Sequence, residues 1–201
     1  MRYLSVFEQD SEILKAIRDI HLHKWYDADI TYSKGVFWKG LEKPKRCSDL
    51  IPLFDFVTKD DSTVLETYSN DSLSSVVFDP PFLFRNRGSK NNDQMCARFS
   101  YFKSYDELLR MYQRSILAIH KKLSDGGVLA FKCQDMTDGG FYCTHNDIIN
   151  FATQNGFILK DILIKVSKHK WQKEAKQQNC VAKVHSYWLI FKKRKNLVGK
   201  M

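Results

Sequence analysis

Four consecutive residues, Asp79, Pro80, Pro81 and Phe82, place an acid, two positions without a backbone donor and an aromatic ring directly after the apolar run Val76-Val77-Phe78. Two prolines fix φ and remove two N–H groups, so a strand entering them stops in a rigid, extended turn. The Asp79 carboxylate and the Pro80 carbonyl are acceptors, and the Phe82 ring offers a face for stacking. That combination suits a planar amine, whose N–H groups point outward in its own plane. The carboxyl end of a strand is also where open α/β sheets put their ligands.

A second constellation lies upstream. Asp29-Ile30-Thr31-Tyr32-Ser33-Lys34-Gly35 leads into the aromatic pair Phe37-Trp38. Gly35 has no Cβ, so the backbone there can come close to a ligand. Asp49 follows 20 residues after Asp29, the spacing of an acid that accepts ribose hydroxyls in a Rossmann-type site. Cys133, Cys143 and His145 lack the paired spacing of metal ligands, so no metal is expected. Lys132, near Asp135, either lines a binding pocket or ends a strand.

These residues need elements to position them. Ile13, Leu14, Ile17, Ile20 and Leu22 predict a helix over 10–24 with Ser11 as its N-cap, and a longer helix runs through Leu108, Leu109, Tyr112, Ile116, Leu117 and Ile119 to about Leu123. A third helix covers 145–155 and stops at Asn155-Gly156. Strands are expected at 27–31, 46–50, 74–78, 128–133, 157–165 and 184–192, with Asp125-Gly126-Gly127 as a turn. Alternating strands and helices predict an α/β, Rossmann-like, doubly wound and mostly parallel sheet whose last strand is free to run antiparallel. One domain spanning 1–201 is the expectation, with polar or basic loops at 83–103 and 166–184 and a basic tail at 192–201.

The 201 residues carry 32 Lys and Arg against 23 Asp and Glu, a net charge of +9. The excess clusters: Lys165, Lys168, Lys170, Lys173, Lys176 and Lys183 with His169 and Trp171, then Lys192, Lys193, Arg194, Lys195 and Lys200. Such clusters attract phosphate backbones, and the rings among them can stack on bases. Arg85, Arg87 and Lys90 in the first loop, and Lys168, Lys170, Trp171 and Lys173 in the second, are the candidate nucleic-acid contacts. No apolar run reaches the roughly 20 residues that span a bilayer. Five scattered cysteines without C-x-x-C pairs suit free thiols and a cytoplasmic location.

Asp79-Pro80-Pro81-Phe82 resembles the Asp-Pro-Pro-Tyr/Phe signature of methyltransferases that modify exocyclic amines of DNA bases, a tetrapeptide some RNA guanine methyltransferases also carry. Asp29 through Phe37 resembles the Asp-x-x-x-Gly-x-Gly turn of that family, and its Thr-Tyr and Phe-Trp pairs are similar to small phage-type enzymes. Asp49-Leu50-Ile51-Pro52, Asp61 through Val77, Gly126-Gly127 through Asp135, and His185-Ser186-Tyr187-Trp188 resemble successive further motifs. The likeness covers most of 25–193 in one consistent order. Ser33 departs from it, standing where the family has the turn's first glycine.

The resemblance implies a class I methyltransferase fold with S-adenosyl-L-methionine as cofactor. It implies that Asp29, Thr31, Tyr32, Gly35 and Phe37 bind the cofactor, with Asp49 on its ribose and Asp61 on its adenine. It implies that Asp79, Pro80, Pro81 and Phe82 are catalytic, and that the acceptor is DNA, adenine N6 ahead of cytosine N4. RNA and an inactive nucleic-acid-binding relative are the alternatives, the latter because of Ser33. Restriction-modification is the implied setting.

Overall fold

The computed structural model describes residues 3–84, 102–167, 181 and 183–195. Its centre is an eight-stranded sheet. In chain order the elements are β1 (Val6–Phe7), α1 (Asp10–Ile17), β2 (Ala28–Asp29), β3 (Arg46–Asp49), β4 (Thr58–Lys59), β5 (Leu73–Phe78), α2 (Tyr105–Lys122), β6 (Leu123–Cys133), a β7–β8 hairpin (Met136–Thr137, Phe141–Tyr142), α3 (Thr144–Gln154), β9 (Phe157–Val166) and β10 (His185–Lys193). The spatial order is β1-β9-β10-β6-β5-β2-β3-β4. Pairings from β6 across to β4 are parallel, and β10 runs antiparallel to both β6 and β9.

Period-2 alternation sorts the side chains of the central strands onto two faces. Val76, Phe78, Leu129, Phe131, Leu189 and Phe191 pack beneath α2 and α3 with Leu108, Tyr112, Ile116, Ile119, Ile148 and Ala152. Val77, Val128, Ala130, Trp188 and Ile190 face the other way, against Ile13, Leu14, Ala16 and Ile17 of α1 and the rings of Tyr26, Tyr32 and Trp38. Helix α2 has the best-defined ends. The Ser104 side chain accepts from Glu107 N–H while the Glu107 carboxylate accepts from Lys103 N–H, close to a capping box. Asp106 and Glu107 sit in its first turn and Lys121 and Lys122 in its last, each matching the sign of the helix dipole there.

Several expectations need correcting. Helix α1 starts one residue before the predicted cap, with Gln9 in the cap position and no side-chain cap bond. It stops as an α-helix at Ile17 and widens into a π turn over Arg18–Leu22, closed by His23 N–H donating to Arg18 O with His23 left-handed (φ 54°). No α-helix interrupts the chain between β2 and β5, only a 3-10 turn at Val36–Trp38. Buried carboxylates pin the coil there instead: Asp60 accepts from Asp61 N–H, Glu66 N–H, Thr67 N–H and the Thr67 hydroxyl. Asp125-Gly126-Gly127 is not a free turn, because β6 begins at Leu123, with a register shift against β5 and left-handed Gly126 (φ 76°) absorbing the irregularity. The two-residue strands β1, β4, β7 and β8 are additions to the expected set, being too short to show any period. Among the described residues no helix is long and apolar enough to cross a membrane.

The basic tail also divides. Lys193 is buried, donating to the Asp71 carboxylate at 2.7 Å and to the Leu123 carbonyl at 2.6 Å, so it anchors the end of β10 to the sheet rather than facing solvent. Phe131, fully buried between Phe78 (ring centroids 4.8 Å) and Tyr112 (5.5 Å), joins β5, β6 and α2. Phe131→Ala should therefore lower unfolding stability by about 3–5 kcal/mol, read from urea or thermal melts.

Candidate active site

Strands β2, β3 and β5 end side by side, and the turns leaving them border a cleft of about 600 Å³, within the size range of small-molecule sites. Asp29, Thr31, Tyr32, Gly35, Phe37, Asp49, Asp61, Asp79, Pro80 and Pro81 all line it. Phe82 does not; it lies half-buried behind the rim, with its ring 6.0 Å from Lys132 Nζ. Arg85, Arg87, Lys90, Lys168, Lys170, Trp171 and Lys173 lie outside the described residues.

Asp29, 2% exposed, organises the first turn. One carboxylate oxygen accepts from Thr31 N–H (2.9 Å) and the other from the Trp38 indole N–H (2.7 Å). Burial pushes its carboxyl up to about 7 against the pull of these two donors, with the charges of Asp79 and Asp49 adding to the rise. The Thr31 hydroxyl oxygen then accepts Asp79 N–H at 2.7 Å, tying the first turn to the acid-proline turn.

Ser33 and Gly35 both adopt left-handed backbone, φ 49° and 63°. Serine in this region is strained, and here Ser33 N–H donates to Asp49 Oδ2 at 2.8 Å, a charge-assisted bond that offsets part of the strain. Ile51 N–H occupies Asp49 Oδ1 at 2.9 Å, so the carboxylate is fixed by backbone on both sides of the cleft wall. Gly35 has no such latitude. A Cβ there would lie 2.6 Å from the Tyr32 ring. Asp61 is fixed likewise, accepting from Thr63 N–H at 2.8 Å.

On the other side, Tyr112, fully buried, donates its hydroxyl to Pro81 O at 2.6 Å. That bond satisfies the second proline's carbonyl and locks the turn onto α2. Asp79 keeps 26% of its side chain exposed, yet its Oδ1 is buried without a hydrogen-bond partner. Desolvation raises the carboxyl to about 6, opposed by the nearby Lys132 charge and helped by Asp10.

Sequence reasoning left three parts of this region unassigned. Helix α2 lends Glu107, Arg110, Met111 and Arg114 to the cleft wall, and Arg110 and Arg114 are exposed, with no ion-pair partner among the described residues. They sit in a helix recognisable by its period, yet nothing in that period says which polar face meets a ligand. Lys132 is a buried cation whose ammonium lies 3.1 Å from Asp10 and 4.0 Å from Asp79. The third part is Asp135, joined to Cys143 and His145 with ligand-type atoms all within 4.8 Å. Both Asp135 oxygens lie within 2.9 Å of His145 Nδ1, whereas Cys143 Sγ is 3.8 and 3.9 Å from the two ring nitrogens. Near-equal distances put the sulfur off the lone-pair axis of either nitrogen, so this group is built as an Asp–His hydrogen bond. The Tyr187 ring stacks on it at 4.3 Å.

No family model matches the chain, and no curated protein matches it in sequence. Solved structures do resemble it. The N-methyltransferase NodS of Bradyrhizobium japonicum WM9, in complex with S-adenosyl-L-homocysteine, aligns at TM-score 0.54 and 14% identity over 90% of this chain and 86% of that one. The [4+2]-cyclase SpnF aligns at TM-score 0.56 and 9% identity, over 92% and 81%. A Thermus thermophilus protein assigned as a DNA modification methylase, solved with S-adenosyl-L-methionine, aligns at TM-score 0.47 and 19% identity over 71% of this chain. The chain spans about half (54%) of that protein's length.

The fold is that of the class I methyltransferases. A cyclase shares it, so chemistry must be argued from the site.

In the Gly35→Ala variant the new Cβ would overlap the Tyr32 ring and displace it, with the far-UV circular dichroism of the parent retained. Unfolding stability is expected to fall by about 1–3 kcal/mol, the cost of a non-glycine residue held left-handed there, read from urea melts. Trp38→Phe removes one donor from buried Asp29 and should cost about 1.5–3 kcal/mol of stability, measured by chemical denaturation.

Proposed function

We propose that the protein is an S-adenosyl-L-methionine-dependent methyltransferase acting on an exocyclic amine of a DNA base, adenine N6 ahead of cytosine N4. One observation carries this reading: Asp79 with its two prolines and Gly35 with Asp49 border the same cleft, so a methyl donor and an amine acceptor held by those residues would meet.

The cofactor fits the residues present. Gly35, left-handed and without a Cβ, lets its backbone approach a ligand closely. Asp49, held by two backbone N–H groups, retains lone pairs for two ribose hydroxyls. Asp61, on the cleft wall, would accept from an adenine amine, and the first turn, from Asp29 through Gly35 to Phe37, would take the methionine end. When bound, S-adenosyl-L-methionine supplies an electrophilic methyl group on a sulfonium.

The protein's own part is positioning and electrostatics. The Asp79 carboxylate and Pro80 carbonyl accept the two N–H bonds of the amine and aim its lone pair into the cleft. Tyr112 keeps the turn rigid through Pro81 O. The amine must shed a proton as its nitrogen becomes tetravalent, and a carboxylate raised to about 6 is a better acceptor for it than an ordinary aspartate. The base has to leave its duplex to reach this depth, at a cost of a few kcal/mol. Phe82 would contribute stacking once the base is in, if its ring turns toward the rim.

DNA is favoured by the net charge of +9 and by Arg110 and Arg114 at the cleft edge, which suit phosphates flanking an extruded base. The preference for adenine follows the resemblance of the tetrapeptide.

The deciding experiment is nucleoside mass spectrometry of DNA from cells expressing the protein. N6-methyladenine is the expected product, absent with Asp79→Ala. Methylcytosine would redirect the specificity, and methylated RNA with unmodified DNA would overturn the choice of substrate.

A pH dependence follows as well. An acid with its carboxyl raised to about 6 is ionised above that value and protonated below it, and the protonated form loses the acceptor lone pairs that hold the amine. Transfer should therefore fall by half near pH 6 and about tenfold for each further unit, whereas an unshifted aspartate would sustain it to about pH 4.

A further inference from the structure

Lys132 sits where a lysine is rarely found. It lies on β6 beside Trp188 of β10, with its side chain 9% exposed and its ammonium surrounded by ring faces: Phe37 at 4.3 Å, Trp188 at 5.6 Å and Phe82 at 6.0 Å from the centroids. Rings of this kind stabilise a cation through their quadrupoles. They leave it needing acceptors.

Two carboxylates face it unequally. Asp10 Oδ1, at the start of α1, is in contact at 3.1 Å; the same oxygen accepts the Trp188 indole N–H at 2.9 Å, and Asp10 Oδ2 lies 3.6 Å from Lys165 Nζ on β9. Asp79 Oδ1 lies 4.0 Å from Lys132 Nζ, too far for a hydrogen bond, and is the buried oxygen that has no partner. The four charged groups, Asp10, Asp79, Lys132 and Lys165, balance. Yet the geometry gives the lysine's direct contact to the acid that does not line the cleft and leaves the acid that does unbonded.

We propose that Lys132 is a positioning residue for Asp79, held off it by Asp10 so that it supplies a neighbouring positive charge without occupying the carboxylate's lone pairs. The proposal rests on the reading of Asp79 as the acceptor for the substrate amine. A lysine in full contact with the buried Oδ1 would draw charge off the carboxylate and weaken the pull of its other oxygen on the N–H bonds. A site with no cation would bury the carboxylate unpaired, and it would take up a proton instead. At 4.0 Å the ammonium does the electrostatic part and leaves the hydrogen-bonding part to the substrate. Asp10 sets that distance, and its own place is fixed by Trp188 and Lys165.

The charged and titratable groups around Asp79 are Lys132 and Cys133 on β6, Asp10 on α1, Lys165 on β9, Asp29 on β2 and Tyr112 on α2. Lys132 and Lys165 favour its ionised form, and Asp10 disfavours it. The Cys133 thiol and the Tyr112 hydroxyl, both buried, are held well above their ordinary ranges and stay neutral while Asp79 titrates, whereas Asp29, pushed up to about 7, titrates beside it and is common to the parent and every variant. That leaves a cycle of opposite signs to be measured.

The test follows the Asp79 side-chain carboxyl by carbon-13 NMR across pH, assigned by comparison with Asp79→Asn, in the parent, Lys132→Met, Asp10→Asn and the double variant. Lys132→Met should raise the titration midpoint by roughly one unit or more, and Asp10→Asn should lower it. The double variant removes one charge of each sign, so it keeps the balance should Lys132→Met fail to fold. It should return the midpoint to within about half a unit of the parent. In methyl-transfer assays kcat should fall about 10–100-fold for Lys132→Met, with KM for DNA changed little, and Lys132→Arg should recover part of the loss.

A folded Lys132→Met with an unmoved midpoint, or with an unchanged kcat, overturns the proposal, as does a double variant whose midpoint departs from the parent's by a full unit. The titration needs no turnover. If the parent transfers no methyl group to any nucleic acid, the proposed function falls, while the NMR midpoints still decide whether Lys132 governs Asp79.

Discussion

The hydrogen bond from Asp79 N–H to the Thr31 hydroxyl, 2.7 Å long, is the joint on which this site turns. The turn after β2 and the turn after β5 meet there, just beyond the bond from Ile30 N–H to Val77 O, and each is further tied to a different element, the first to Asp49 of β3 and the second to Tyr112 of α2. Thr31 is itself placed by the Asp29 carboxylate, which also holds the Trp38 indole. One almost fully buried acid thus sets the first turn and, through a threonine, the position of the second. The arrangement is energetically demanding. Burial outweighs the two donors and leaves this carboxyl at about 7, so losing either donor would leave a buried oxygen unsatisfied.

Conformational strain is concentrated on the same edge of the sheet. Ser33 and Gly35 are both left-handed within three residues, and both support the cleft: one through its N–H to Asp49, the other by vacating the space under Tyr32. A serine at the first of these positions carries a side chain where left-handed backbone favours glycine, and the fold accommodates it. The acid at the end of β3 supplies an acceptor for a donor of that strained turn, and the backbone keeps its course. Strain at a ligand edge persists only where surrounding bonds over-determine it, and here Asp49, Tyr32 and Asp29 do so from three directions.

The Asp79 side of the cleft is organised differently, around charge in place of backbone geometry. The Lys132 ammonium in its aromatic surround lies between Asp10 and Asp79, bringing α1, β6, β9 and β10 to bear on the acid-proline turn. This gives the antiparallel strand β10 a second duty. Besides completing the sheet, it delivers Trp188 to the Asp10 carboxylate, which fixes where the lysine can sit. Packing and electrostatics are therefore coupled at this edge, and a substitution in α1 can reach the Asp79 carboxylate without touching the cleft.

Much of this was legible from the chain alone. Long helices and central strands show their periods because burial on one or two faces enforces them, and Asp79-Pro80-Pro81 ends a strand by stereochemistry that no tertiary context can override. Gly35 and Asp49 were readable for the same reason: a missing Cβ and an acid at a strand end have local consequences. What tertiary structure alone decided is which distant groups share a desolvated space. Asp10 and Lys132 lie far apart in sequence, Asp135 meets His145 across a hairpin, and Lys193 turns inward to Asp71 although it reads as part of a basic tail. Short strands and acid-pinned coils, as around Asp60, carry no period at all. Long-range polar contacts leave no repeating mark on a sequence because each is satisfied by a single pair, and the identity of that pair is set only when the sheet brings its strand ends together.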